Sequence, residues 1–458
     1  MPHTTSDSFK FDDVVKKHIR DVQDDLRELS KSIHSKPELG WEEHHAHKVL
    51  TEYMEKQDGF KVTRHAYDLP TAWSAVFESS AAKEDAPTVG FNSEMDALKG
   101  IGHACGHNLI AVAGCAGAIA TARTLEHFSM PGRVVLLGTP AEEGGGGKAV
   151  MLDRGAYEGM AACLMLHPGG GISGKHGAGI MTSNCISGVS ATFEGVSAHA
   201  GANPETAINA LDAAFVAYSA LSALRQQTPD GTRVHGIITG SDEWSANVIP
   251  SKSEMLYGIR AHSAFTLADL IPRVLKCFEG AATATGCKLS LKREHLYLEL
   301  VQSDPLARTF ADAAKRCWDS QDEPYEIDMV MKTGASTDFG NVSYACPALH
   351  PMFNLPEAGP KDYPHSGSYA KTASLDSSHE ATMRAATALS ITALQVLSSE
   401  DFRKELQEAW KKDMKDIDAK KAIDRLKSVL PDERSPLPSE KAEEKEARSK
   451  GGSCGCSH

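Results

Sequence analysis

Three short apolar runs, TVGF at 88–91, RVVLL at 133–137 and ACLML at 162–166, each run into a loop crowded with reactive side chains. A long Ala/Gly-rich helical stretch at 107–128 separates the first two. Apolar runs of this length bounded by glycine and proline read as strands buried on both faces, and their alternation with helix reads as an α/β sheet with parallel strands. In such sheets ligands collect where strands end and loops begin. The loops in question are SEMDALKGIGHACGH, GTPAEEGGGG and HPGGG. Upstream, residues 11–34 and 41–57 carry helical patterns broken by Pro37 and Gly40.

From 185 to 297 the pattern changes to alternating strands around two helical stretches, 204–226 and 266–285, which reads as a compact α+β insertion. Helical 304–319 and 379–398 then return the chain to the first domain. The expected organisation is therefore 1–184 and 298–402 as two parts of one α/β domain, with 185–297 inserted as a smaller domain. Residues 403–458 form a charged tail, partly helical and then disordered, ending in Cys454-Gly-Cys456.

Composition excludes several classes. A formal net charge of −13 without a basic patch argues against nucleic acid or an acidic membrane as partner. The first residues lack an apolar core of a signal peptide, and no later run is expected to reach the length of a membrane span, so the cytoplasm is the expected compartment. Ten scattered cysteines read as reduced thiols.

The run GTPAEEGGGGKAV poses a choice between a phosphate cradle and a metal site. A phosphate loop needs Gly at 142 and Ser or Thr at 149, where this chain has Glu142 and Ala149, and two acids repel a polyphosphate but welcome a cation. Cys105-Gly106-His107 puts a thiolate and an imidazole on one tight turn, able to face one cation. Glu142 and Glu143 follow a strand end, where successive side chains diverge, so one carboxylate can bind metal while its neighbour takes a proton from a metal-activated water. His167 holds the equivalent place after the next apolar run. The HHAH cluster, His44, His45 and His47, reads as a polar helix face rather than a second metal site.

The strings PELGWEE (37–43), MDAL (95–98), GHACGHN (102–108), PAEEGGGG (140–147), LHPG (166–169), SAHAG (197–201) and NVIP (247–250) resemble, in order and spacing, the aminoacylase and amidohydrolase family of co-catalytic metallopeptidases. Within it, GHACGHN and STDFGNVS (336–343) look most like the dipeptidase subgroup acting on β-alanyl-lysine-type or Xaa-Arg dipeptides. Asn108, where related hydrolases more often have Asp, puts the substrate class in question. The resemblance implies a zinc-exopeptidase-like catalytic domain interrupted by a lid and dimerisation domain at 185–297. It implies Cys105, His107, Glu143, His167 and His365 as metal ligands, Glu142 as general base, and Asp96 as a carboxylate orienting a ligand. His365 is preferred to His379 because Pro364 and Gly367 give it loop chemistry. His199 would reach the partner subunit's site and stabilise an oxyanion, and Asn247 and Arg260 would hold a substrate carboxylate, a task suited to the guanidinium fork.

The expected activity is hydrolysis of the amide bond of a dipeptide or N-acyl amino acid by two divalent ions. Zinc suits the Cys and His donors, and manganese or cobalt suits carboxylates. A homodimer is expected. An amide-forming member of the same fold, or a catalytically silent scaffold, would carry the same fold.

Overall fold

The computed structural model describes residues 8–170, 176–240, 244–320, 324–359 and 361–437, which include two compact units. The first comprises Met1–Thr182, Leu300–Thr333 and Asp338–Asp416; the second comprises Ser183–Glu299, Gly334–Thr337 and Ile417–His458.

The first unit holds a six-stranded sheet in the order Phe60–Arg64, Trp73–Glu78, Arg133–Thr139, Thr88–Glu94, Ala162–Leu164, Ala348–Leu349. The last four strands run parallel, as their apolar runs imply. The helix His107–His127 supplies the crossover that a parallel pair requires. The first two strands are an antiparallel addition that the sequence reading lacks. Their connection is too short for a crossover, and the outermost strand is half polar, so no continuous apolar run marks it.

A smaller sheet in the same unit orders Tyr325–Met331, His176–Met181, Pro351–Asn354 and His167–Gly169. The run ACLML thus breaks after Leu164, and its His167 begins a strand in a different sheet, opposite Met352. Gln302 braces this region: its Nε2 donates to the carbonyls of Met181 at 3.1 Å and His350 at 2.7 Å, and its Oε1 accepts the His350 amide at 2.8 Å.

The core helix His107–His127 packs on Thr88–Glu94 and against the helices Asp12–Arg20, Gln23–His34 and Asp376–Ser398. By length and composition it could cross a membrane, which corrects the expectation that no run approaches such a span; 94% of that window is buried inside the fold, as befits a helix wrapped on all sides. The helical pattern at 11–34 divides at Val22, whose backbone leaves helical geometry and whose side chain is buried in the core.

The second unit is an antiparallel sheet, Lys288–Tyr297, Cys185–Glu194, Lys252–Ala261, Arg233–Thr239, carrying the helices Ala210–Leu224 and Ala264–Thr285. In the charged stretch after 402, Glu400–Asp416 is helical in the first unit. The helix Ala419–Val429 packs against Ala264–Thr285 and buries Ala419, Ala422 and Leu426. Its periodic small and apolar residues survive within a lysine-rich composition. Cys454-Gly-Cys456 lies outside the described residues.

Candidate metal centre

Two loops and two strand ends converge in the first unit. Cys105 lies just before the core helix, whose cap Gly106 has φ of +80°. A Cβ on Gly106 would lie 2.6 Å from Pro168 Cγ, so only glycine admits both the turn and the approach of the His167 strand. His107, fully buried, donates Nδ1–H to Asp96 Oδ1 at 3.0 Å, and His167 donates Nδ1–H to the Pro168 carbonyl at 2.7 Å. Each ring thereby spends Nδ1 on an oxygen and leaves Nε2 as the nitrogen that would face a metal. His167 Nε2 stands 3.4 Å from Cys105 Sγ.

Donor atoms of Cys105, His107 and His167 lie within 4.8 Å of one another, and so do those of Cys105, Glu143 and His365. The thiol belongs to both groups. His365 has φ of +70°, its amide is held by the Ala104 carbonyl at 2.7 Å, and its Nε2 is 3.2 Å from Glu143 Oε1. His379 instead donates Nε2–H to the Gln23 carbonyl at 2.8 Å and belongs to none of these groups.

The buried atoms of this donor set fit a divalent cation. His107 Nε2 and Glu94 Oε2 are buried 3.3 Å apart, neither in a hydrogen bond, an arrangement that costs roughly 1–3 kcal/mol for each such group unless something else satisfies it. A thiol, imidazoles and carboxylates converging on one point are the donor set of a metal site.

The two adjacent glutamates are driven apart. Burial, then the charges of Glu94 and Glu143, push Glu142 well above the ordinary carboxylate range. Burial raises Glu143 too, but His365 and His107 pull it below its ordinary value. Neighbouring acids with opposed shifts can divide proton transfer from charge binding.

Several participants escape sequence reasoning. Lys148, fully buried, donates Nζ to Glu94 Oε1 and to Asp338 Oδ1, both at 2.6 Å, and its amide donates to Asp338 Oδ2 at 2.8 Å. It meets the charge of a buried carboxylate trio, Glu94, Glu142 and Asp338, whose oxygens lie within 4.8 Å. His350 is buried with both ring nitrogens unpartnered, 5.7 Å ring to ring from His167, and burial holds it neutral far below its ordinary range. Glu43 is buried with Thr71 Oγ1 donating to it at 2.6 Å; burial and then Asp96 raise it to about 8. The one sequence signal for Lys148 and Asp338 is that each stands inside a quoted motif, GGGGK and STDFG.

Some expectations change. Asn108, expected to bear on substrate class, ties segments together: its Nδ2 donates to Ser30 Oγ at 2.9 Å and the Ala373 carbonyl at 3.1 Å. The glycine run serves loop packing, since a Cβ on Gly145 or Gly147 would strike Trp41 Nε1 at 2.3 Å or the Pro140 carbonyl at 1.7 Å. His47 is no surface residue: it is buried, donates to the Thr71 carbonyl at 2.9 Å and stacks on His65 at 4.5 Å.

His199, Asn247 and Arg260 belong to the second unit. His199 and Asn247 are exposed near one another, with the Ala200 amide donating to the Asn247 carbonyl at 2.9 Å. His199 Nδ1 accepts the amides of Gly201 and Ala202, both at 3.1 Å, leaving Nε2 as the N–H donor. Arg260 donates Nε–H to His235 Nε2 at 3.1 Å and Nη1–H to Ser336 Oγ at 2.9 Å.

Residues 84–390 match peptidase family M20/M25/M40, and the chain belongs to that family. The human Xaa-Arg dipeptidase is 37% identical over 409 residues, covering 87% of this chain and 90% of that one. One of the p-aminobenzoyl-glutamate hydrolase subunits of Escherichia coli K12 is 32% identical over 277 residues, covering 56% of this chain and 55% of its own length. Among solved structures, a Bacillus subtilis protein described as a dinuclear metal binding peptidase from the M20 family superposes with a TM-score of 0.55 at 17% identity, covering 82% of this chain and 99% of that one. By name these relatives are a dipeptidase, a p-aminobenzoyl-glutamate hydrolase subunit and a metal-binding peptidase.

Proposed function

We propose that this chain is a two-metal amidohydrolase that cleaves the amide bond of a dipeptide or N-acyl amino acid bearing a free carboxylate. The observation that carries this reading is the sharing of Cys105 between two donor groups, Cys105/His107/His167 and Cys105/Glu143/His365, with Glu142 buried beside them. Divalent ions held by these residues would supply Lewis acidity toward a carbonyl and lower the pKa of water. Zinc suits the thiolate and three imidazoles, and manganese or cobalt is the alternative.

Glu142, raised by burial and its acidic neighbours, takes a proton from the attacking water and returns it to the leaving amine nitrogen. Asp96 fixes the His107 tautomer and also accepts the Glu143 amide, at 2.9 Å. His199 donates to the developing oxyanion, and Arg260 and Asn247 receive the substrate carboxylate. The similarity to the human Xaa-Arg dipeptidase supports a basic residue as the leaving amino acid.

His199 acts in the partner's site of a homodimer built through the lid domain, 185–297. Support comes from the edge strand Arg233–Thr239 with Ile237 59% exposed, and from Phe215 and Tyr218, 57% and 47% exposed on the helix Ala210–Leu224. Open edges and clustered apolar side chains are what an interface covers. A cytoplasmic location is supported by the eight free cysteines among the described residues.

The test is a panel of dipeptides and N-acyl amino acids with added Zn, Mn or Co, each paired with its C-terminal amide. Turnover that Glu142→Ala abolishes and amidation weakens is expected. No turnover with any metal, or equal turnover of acids and amides, defeats the reading.

A further inference from the structure

Two buried carboxylates grip the backbone on either side of Glu142. Glu43 Oε1 accepts the Ala141 amide at 2.8 Å, and Asp96 Oδ2 accepts the Glu143 amide at 2.9 Å. Glu43 is 0% exposed, and its other oxygen is held by the Thr71 hydroxyl at 2.6 Å. Ala141 itself is buried with φ of +56°, a left-handed conformation that costs a residue with a Cβ roughly 1–2 kcal/mol. Glycine would avoid that cost, and five glycines stand within six residues of it. The conformation persists because its surroundings determine it. Ala141 Cβ lies against Gly40 and Gly145, where an added Cβ would meet it at 2.9 and 2.6 Å. The segment PELGWEE, to which no other role falls in this site, therefore packs directly beneath the turn that presents Glu142.

We infer that Glu43 is a positioning residue for Glu142, its carboxyl oxygen holding the left-handed turn at Ala141 while Asp96 holds the other flank. This rests on Glu142 being the proton carrier. What Ala141 uses is an acceptor, not a charge, so glutamine suffices at 43. Removing the acceptor frees the turn to relax toward ordinary backbone geometry and swings the Glu142 carboxylate away from the reacting water. Proton transfer is sensitive to such displacement, whereas substrate binding by other residues is not.

The test compares Glu43→Gln with Glu43→Ala in the full-length, metal-loaded protein. Glu43→Gln should keep kcat within about threefold of wild type, while Glu43→Ala should lose on the order of tenfold to a hundredfold in kcat, with KM and metal bound per chain unchanged. Hydrogen exchange of the metal-free protein reads the grip independently of activity: the peptide spanning 139–147 should lose protection in Glu43→Ala and keep it in Glu43→Gln. Should the alanine variant not fold, Glu43→Met keeps the volume and removes the acceptor. Equal losses in the glutamine and alanine variants, a loss carried by KM or by metal content, or unchanged exchange at 139–147 would overturn the inference. If Glu142→Ala stays active, the proton-carrier reading fails, and the exchange result still decides whether Glu43 holds the turn.

Discussion

His365 places Nε2 3.2 Å from Glu143 Oε1, whereas His379, fourteen residues further on, spends its Nε2–H on the carbonyl of Gln23. Two histidines that compete for one role in the sequence thus have different occupations. His365→Ala should lower bound metal and abolish turnover, and His379→Ala should leave metal content intact. Metal analysis of the two purified variants checks this, and the reverse pattern would move the site to the helix Asp376–Ser398.

Lys148 is a buried cation between two buried anions, Glu94 and Asp338. Removing one partner of such a set strands the others, at a cost of about 3–5 kcal/mol. Lys148→Met should therefore destabilise the protein by that order in denaturant titration. Adding Asp338→Asn should return part of the loss. Strict additivity of the two changes would show that the pair is not coupled.

His379 also makes stability depend on pH. Burial, joined by the nearby Arg27, lowers it to about 4, against an ordinary value of 6.5, despite the Gln23 hydrogen bond and the acids Asp376 and Asp24 pulling the other way. Above pH 6.5 neither folded nor unfolded chain protonates it. Between 6.5 and 4 the unfolded chain binds the proton and the folded chain refuses it, so stability falls as pH falls, by up to about 3 kcal/mol. His379→Gln should remove that slope. Unfolding free energies at pH 7 and pH 5 for both proteins give the comparison, and parallel curves would refute it.

His199 in one chain and Glu142 in another should complement. Inactive His199→Ala and inactive Glu142→Ala proteins, mixed and allowed to exchange protomers, should regain activity, up to about a quarter of wild type if hybrids form statistically and each holds one intact site. An active monomer in sedimentation would remove the need for a partner.

Legibility in the sequence tracks how local each cause is. The gathering of Cys105, His107, Glu142 and Glu143 is readable because donor spacing on a turn and divergence at a strand end are short-range facts. The parallel strands are readable because burial on both faces leaves continuous apolar runs, and the second unit because one-sided burial leaves alternation. Lys148 is not, since its partners are 54 and 190 positions away and a lysine beside glycines suggests a phosphate loop. Glu43 is hidden for the same reason: its partner amide is 98 positions distant, and nothing in PELGWEE announces a hydrogen bond to a backbone. The strand Phe60–Arg64 carries too many charged residues to be separated from a loop by pattern alone.

The bracing of Met181 and His350 by one side chain, Gln302, has a consequence for how such a chain can be remodelled. The first unit's chain leaves at Thr182 and resumes at Leu300, and Gln302 ties the departing strand to the segment just after the return. Exit and re-entry are thus neighbours on one wall. Closing a short gap between neighbouring ends costs little conformational entropy, so residues 183–299 could be exchanged for an insert of different length without reopening the sheet behind it, provided the insert also replaces the packing of Gly334–Thr337 and of the helix Ala419–Val429, which belong to the same unit.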